Sequence, residues 1–131
     1  MKKISGVFEV KMQPEASSFI GTNGVKIGRM VLNKNYQGEL NATSQGEMLS
    51  AVTATEGSAG YVAIEQVSGV LVGKSGGFVL QHSGIMQQGK SELTLVVIPD
   101  SGSGELHGLQ GQMDIKIENG VHFYDFEFTF K

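Results

Sequence analysis

The sequence predicts an all-β fold, an eight-stranded antiparallel meander closed into a β-barrel, from three observations. Short runs rich in Val, Ile, Phe and Tyr recur along the chain. Glycine, with 19 copies in 131 residues, separates these runs, and proline occurs only twice. No stretch repeats apolar residues at the helical period, so no long helix is expected. A chain of this length can bury a core of its own, so residues 1–131 are expected to form a single domain.

The first part of the chain predicts three strands. Residues 3–12 alternate apolar and polar side chains, which is the pattern of a half-buried strand. The polar segment 13–24 is predicted to be a loop, and residues 25–36 form the second strand. Arg29 shares a face of that strand with apolar residues, so it either extends to solvent or pairs with a buried carboxylate. Residues 39–53 form the third strand.

Residues 61–86 form a hairpin of two apolar runs joined by a glycine-flanked turn, and they carry a carboxylate and an imidazole. If Lys74 and Ser75 are the two turn residues, Glu65 and His82 become diagonal neighbours on one face, within side-chain reach. A three-residue turn would instead place these two side chains on opposite faces.

The remaining strands follow from alternation and turn residues. Residues 91–98 form the sixth strand, and the irregular segment 99–108 is either a lip over the barrel mouth or a plain glycine-rich turn. Residues 110–118 and 121–130 are both amphipathic. Asn119-Gly120 between them is the strongest two-residue hairpin signal in the chain.

Pairing of the first strand with the last would close the meander and remove its exposed edges. This closure is expected to bring Lys3 and Lys11 near Asp125 and Glu127. A β-sandwich is the alternative architecture.

Two glycine-rich motifs resemble the signature of a bacterial domain family of unknown function. The first comprises Tyr61-Val62, Glu65, Gly69, Leu71, Gly73, Ser75-Gly76, Phe78 and Leu80-Gln81-His82-Ser83-Gly84, and the second comprises Gly102-Ser103-Gly104-Glu105-Leu106, Gly108-Leu109 and Gly111. The resemblance extends over nearly the whole chain. It implies the allene-oxide-cyclase-like barrel fold, which plant allene oxide cyclases and dirigent proteins share. It implies no activity, because the family has no agreed catalytic residues.

Composition excludes several function classes. The net charge of -3 gives no electrostatic basis for binding nucleic acid or an anionic membrane. The absence of cysteine excludes disulfides, thiolate metal sites and cysteine nucleophiles. The three histidines have no metal-site spacing, and no metal or other cofactor is expected. No apolar run is long enough for a transmembrane helix or a signal peptide, so a cytoplasmic location is expected.

The chemically interesting residues are Glu47, Glu65 and His82, which lie in strands with apolar neighbours. An eight-stranded barrel encloses either packed side chains or one small ligand. A carboxylate and an imidazole inside it would have shifted pKa values and could act as general acid and base. The alternative is an internal hydrogen-bond network that fixes the barrel. The catalytic candidates are Glu65 and His82, with Tyr61 and Tyr124 as possible helpers, and the ligand-binding candidates are Glu47, Glu65, His82, Tyr61 and Arg29.

These observations favour binding of a small apolar molecule inside the barrel, with the polar groups orienting it. An isomerase or cyclase acting on an apolar substrate is the second hypothesis, and it rests on fold analogy alone. The third hypothesis is a structural role in which the barrel exterior forms a homo-oligomer.

Overall fold

The computed structural model describes residues 1–131 and consists of nine β-strands joined by turns and loops. The strands are β1 (Lys2–Glu15), β2 (Lys26–Gln37), β3 (Leu40–Val52), β4 (Ala59–Leu71), β5 (Lys74–Gln87), β6 (Lys90–Val97), β7 (Ser103–Gly104), β8 (Leu109–Glu118) and β9 (Val121–Phe130). The structure contains no helix with the length and apolar character that a membrane span requires.

Eight of these strands close into an antiparallel barrel. Their order is β4-β3-β2-β1-β9-β8-β6-β5, and pairing of β5 with β4 completes the ring. The two-residue strand β7 lies inside the segment 99–108 and pairs with β5. The predicted all-β fold, the closed barrel and its meander order are confirmed.

The barrel closes between the first and last strands, as expected. β1 pairs with β9 from Lys2 to Phe8, and Lys3 faces Glu127. The expectation for Lys11 was wrong, because β1 beyond Phe8 pairs with β2 alone and Lys11 faces Asn33.

One end of the barrel is packed shut. The rings of Phe78 and Phe126 stack there with centroids 5.7 Å apart. Leu106 is 1% exposed, and the Glu105 carboxylate accepts a hydrogen bond from the Ser75 backbone N–H at 2.9 Å. The segment 99–108 is therefore a plug at the closed end and not a lip over the open one.

The other end, which we call the mouth, is flared. Only Leu95 and Val96 of β6 pair with β8, so the strands diverge before and after these residues. β1 extends past the β8–β9 hairpin, because Phe8 pairs with His122 near the start of β9 and β1 continues to Glu15. Since β6 separates from β8 and β1 extends past the hairpin, the inward residues of β3 to β6 near the mouth, such as Met48, Tyr61 and Leu93, are at most partly buried.

Candidate functional site

The β4–β5 hairpin brings Glu65 and His82 together on the inward face. The turn residues are Val72 and Gly73, whose φ angles of 47° and 79° are those of a tight hairpin turn, so the assignment of the turn to Lys74 and Ser75 was wrong. Glu65 therefore faces Leu80, whereas a turn at Lys74 and Ser75 would have placed it opposite Gly84. This register differs from the expected one by four residues, an even number, so the two side chains remain diagonal neighbours on one face.

The Glu65 carboxylate is the centre of a buried polar cluster. The residue is 0% exposed. His82 Nε2 lies 2.8 Å from Glu65 Oε1, and Lys34 Nζ lies 3.0 Å from the same oxygen. The Tyr36 hydroxyl donates a hydrogen bond to Glu65 Oε2. Three donors from two strands, Lys34 and Tyr36 of β2 and His82 of β5, thus satisfy one carboxylate inside the barrel.

Lys34 reaches Glu65 across β3 because the side chains between them are small. Lys34 is paired with Ser44 on β3, and Glu65 is paired with Gly46. The ammonium group also lies 4.9 Å from the centroid of the Phe8 ring, where it gains a cation–π contact. The barrel therefore holds a cation and an anion that are both almost fully buried.

Sequence reasoning missed Lys34 and Tyr36 as members of the site. The signal was present, because Lys34 alternates with Leu32 and Tyr36 on the more apolar face of β2. The prediction for β2 rested on the opposite face, which carries Arg29 and Val31 and points outward.

The cluster fixes the protonation of its members. Burial alone raises the pKa of the Glu65 carboxyl, but the hydrogen bond from His82 and the charge of Lys34 outweigh burial and lower that pKa to about 2. Burial and the negative charge of Glu65 raise the pKa of the Tyr36 phenol well above its usual value. Glu65 is thus ionised and Tyr36 protonated at neutral pH, which suits a hydrogen bond donated from Tyr36 to Glu65.

Glu47 and Arg29 do not belong to this cluster. Both point outward, where Arg29 Nε lies 3.2 Å from Glu47 Oε2 and the Glu47 side chain is 60% exposed. The placement of Glu47 inside the barrel was wrong. The carboxylate that Arg29 satisfies is a surface one.

Tyr61 lies between the cluster and the mouth. Its ring packs directly over Gly84, where a Cβ atom would lie only 2.3 Å from Tyr61 Cε1, so a larger residue at Gly84 would displace the ring. The ring meets His82 edge-on with centroids 6.4 Å apart. Burial and the charge of Glu65 raise the pKa of the Tyr61 phenol. The hydroxyl therefore keeps its proton and can act as a hydrogen-bond donor.

Above Tyr61 the mouth contains an apolar pocket of about 350 Å³. Its inward-facing lining residues are Met48, Ser50, Val52, Ala59, Tyr61, Gly84, Met86, Ser91 and Leu93. Of the predicted site residues only Tyr61 lines this pocket, and Glu65 and His82 lie beneath it. No group of three or more His, Asp or Glu side chains is arranged to hold a metal ion.

Tyr124, the other possible helper, lies at the closed end. Its hydroxyl donates to the Gln37 carbonyl oxygen at 3.0 Å and accepts from the Leu40 backbone N–H at 3.3 Å. Tyr124 therefore fixes the β2–β3 turn and does not contribute to the mouth.

Comparison with known proteins gives one consistent result. Residues 4–128 match a family described as "Protein of unknown function (DUF3224)". No curated protein matches the chain. A crystal structure of a DUF3224 protein of unknown function from Shewanella oneidensis MR-1 is 59% identical and has a TM-score of 0.98. That similarity covers 100% of this chain and 98% of the Shewanella chain. The resemblance to a bacterial family of unknown function is confirmed, and the chain belongs to the DUF3224 family.

Proposed function

We propose that this protein binds a small apolar molecule in the pocket at the mouth of the barrel. The observation that carries the proposal is the pocket of about 350 Å³, whose lining comes from the inward faces of β3 to β6. Pockets for small molecules are concave, mostly apolar and about 300–1,000 Å³ in volume, with a few polar groups that fix orientation. Met48 and Met86 supply flexible, polarisable walls that adapt to a ligand's shape.

The polar cluster supports this proposal as the rigid base of the pocket. Glu65 is fully buried and already satisfied by three donors, so we assign it no direct contact with a ligand. Its role is to hold His82 and, through packing, Tyr61. The phenol of Tyr61 is then the group at the floor that donates a hydrogen bond to the ligand.

The test uses native mass spectrometry of the purified protein, extraction of any retained molecule and titration with the neutral dye Nile red. Val52→Asp introduces a charge into the pocket wall, and Val121→Asp makes the same change on the outward face of β9 at similar exposure. We expect Val52→Asp to weaken dye binding at least about tenfold, because an apolar ligand would have to desolvate the carboxylate. Equal dye binding by wild type and Val52→Asp would refute the proposal.

Catalysis by an isomerase or cyclase on the same apolar molecule is the second candidate, and the Glu65–His82 pair favours it. A carboxylate that orients an imidazole is the arrangement used to position a general base. The substrate would have to displace the Tyr61 ring to reach His82. Conversion of the extracted ligand by wild type, with conversion but not binding lost in His82→Gln, would support this function. Binding without conversion by wild type would contradict it.

A further inference from the structure

We propose that two copies of this chain associate through the outer surface of β2 to β5. This surface, which we call the outer apolar face, is centred on Leu49, Val62, Ile64 and Ile85. These four side chains are 44–57% exposed. Leu49 is directly paired with Val62, and Ile64 is the next outward residue along β4 after Val62, so the apolar side chains are contiguous.

The outer apolar face differs from the opposite exterior of the barrel in its charge. Among the outward residues of these strands near its centre, Arg29 and Glu47 are the only charged ones, and they neutralise each other. The opposite exterior, formed by β1, β8 and β9, carries charges of both signs: Lys3, Glu9, Lys11, Asp114, Lys116, Glu118, Asp125 and Glu127. A contiguous apolar surface on one side of an otherwise charged protein is typical of an interaction site.

The size of the face suits a contact between two copies. Four strands about 4.8 Å apart and three outward positions about 6.8 Å apart cover roughly 400 Å². The next outward residues along the strands, Asn33, Gln45 and Gln66, are polar but uncharged. With them the uncharged area approaches the surface that each partner buries in a standard interface, which is about 800 Å². An apolar centre with a polar rim is the usual anatomy of such an interface.

The loop between β1 and β2 adds to this surface. Arg29 Nη1 donates to the Ala16 carbonyl oxygen at 3.2 Å, which anchors the start of the loop on the outer side of the sheet. Phe19 and Ile20 in this loop are 55% and 90% exposed. A loop that is held on Arg29 and exposes two large apolar side chains adds apolar surface that an interface can cover.

The charge pattern favours a second copy over a different partner. A chain with a net charge of -3 repels a copy of itself except where its surface is locally neutral. The Arg29–Glu47 pair carries both signs, the outward faces of β4 and β5 beside it are uncharged, and Glu15, which is paired with Arg29, lies at the edge of the face on β1. A two-fold axis through the face can therefore place Arg29 of each copy near Glu47 of the other, as a self-complementary contact requires.

Light scattering after size-exclusion chromatography tests the proposal with matched variants. We expect wild type and Val121→Asp to elute at twice the chain mass and Val62→Asp at the chain mass. The dissociation constant of Val62→Asp is expected to rise at least about 30-fold, because a charge would be buried at the centre of the contact. A monomeric wild type at hundreds of micromolar, or a Val62→Asp dimer as stable as wild type, would overturn the proposal.

A second experiment does not depend on the folding of Val62→Asp. The chain has no cysteine, so Leu49→Cys introduces a single thiol beside the two-fold axis that the Arg29–Glu47 contact requires, because Leu49 is paired with Arg29. We expect oxidation to crosslink Leu49→Cys into dimers much faster than Val121→Cys. Equal rates would overturn the proposal. Arg29→Glu should also weaken the dimer, and Arg29→Glu/Glu47→Arg should restore it, with circular dichroism confirming the fold of each variant.

This proposal and the ligand-binding proposal can fail separately. Val52→Asp should lose Nile red binding and remain a dimer, whereas Val62→Asp should lose the dimer and keep Nile red binding. If Val62→Asp loses the dye and remains a dimer, the assignment of the outer apolar face is wrong.

Discussion

Two carboxylate–cation pairs lie on the same part of the barrel wall, one inside and one outside. Glu65 and Lys34 face inward, and their side chains are 0% and 5% exposed. Glu47 and Arg29 face outward, and their side chains are 60% and 33% exposed. The distances in the two pairs are similar, 3.0 and 3.2 Å. The difference between them is therefore the solvent around them, which decides how much each pair contributes to stability.

Breaking an inward ion pair lowers the free energy of unfolding strongly, because it leaves a buried charge without a partner. An intact inward pair stabilises the fold little more than apolar side chains in its place would. The barrel offsets the burial of the Glu65 charge with two further donors, Tyr36 and His82. An outward pair is solvated whether or not it forms, so its loss leaves no stranded charge. The comparison yields four predictions, which decrease in expected effect.

The largest effect is expected for Glu65→Gln. The substitution keeps the shape of the side chain but leaves the Lys34 ammonium group buried without a counter-charge. We expect the free energy of unfolding to fall by about 3–5 kcal/mol, measured by urea denaturation. Glu65→Gln combined with Lys34→Met removes both charges and should cost less than Glu65→Gln alone. A double variant that costs the sum of the two single changes would show that the charges are not coupled.

The second effect is a dependence of stability on acid pH. The pKa of Glu65 is lowered from 4.5 to about 2 in the folded protein, so the unfolded state binds the proton more tightly. This group therefore stabilises the fold above pH 4.5, and its contribution is lost as the pH falls from 4.5 toward 2. The expected loss is about 3 kcal/mol. Denaturation curves across this range should show the loss in wild type and a smaller one in Glu65→Gln.

The third effect is expected for Tyr36→Phe, which removes one donor from the Glu65 carboxylate and leaves the other two. We expect a loss of about 1–3 kcal/mol, the contribution of a hydrogen bond to a charged group. The loss of stability between pH 4.5 and 2 should also be smaller than in wild type, because removal of the Tyr36 hydrogen bond moves the folded pKa of Glu65 toward 4.5. Tyr124→Phe is the matched control, since its hydroxyl donates to a neutral carbonyl oxygen. A control with the same change in acid unfolding would contradict the prediction.

The sequence sufficed for the barrel and for the Glu65–His82 pair, for physical reasons. Closure of the barrel follows from strands with alternating apolar and polar residues and from tight turns, and both are visible in short stretches of sequence. The Glu65–His82 prediction held although the turn was assigned to the wrong residues, because side chains on a strand alternate between faces with a period of two. Any even shift in register leaves Glu65 and His82 on the same face, although it changes which residues they oppose.

The sequence did not suffice to show that Glu65 points into the barrel and Glu47 points outward. On β3 the inward face carries Ala42, Ser44 and Gly46, which are as small and polar as many surface residues, so neither face stands out as apolar. Lys34 was missed because a lysine is expected at the surface unless its partner is known. That partner lies on β4, two strands away, and the contact depends on the small residues of the strand between them. Such a relation exists only in the folded barrel.

The smallest effect is expected for Glu47→Gln, the outward counterpart of Glu65→Gln. Hydrogen bonds and the charge of Arg29 lower the pKa of Glu47, but this group is solvated and screened by salt. We expect no measurable change in the free energy of unfolding when the chain is dilute enough to be monomeric. Urea denaturation of Glu47→Gln and Glu65→Gln in the same buffer is the direct comparison. If the two variants lose equal stability, burial does not determine how much each ion pair contributes to the free energy of unfolding. The acid sensitivity of the barrel would then have to come from groups other than the inward cluster.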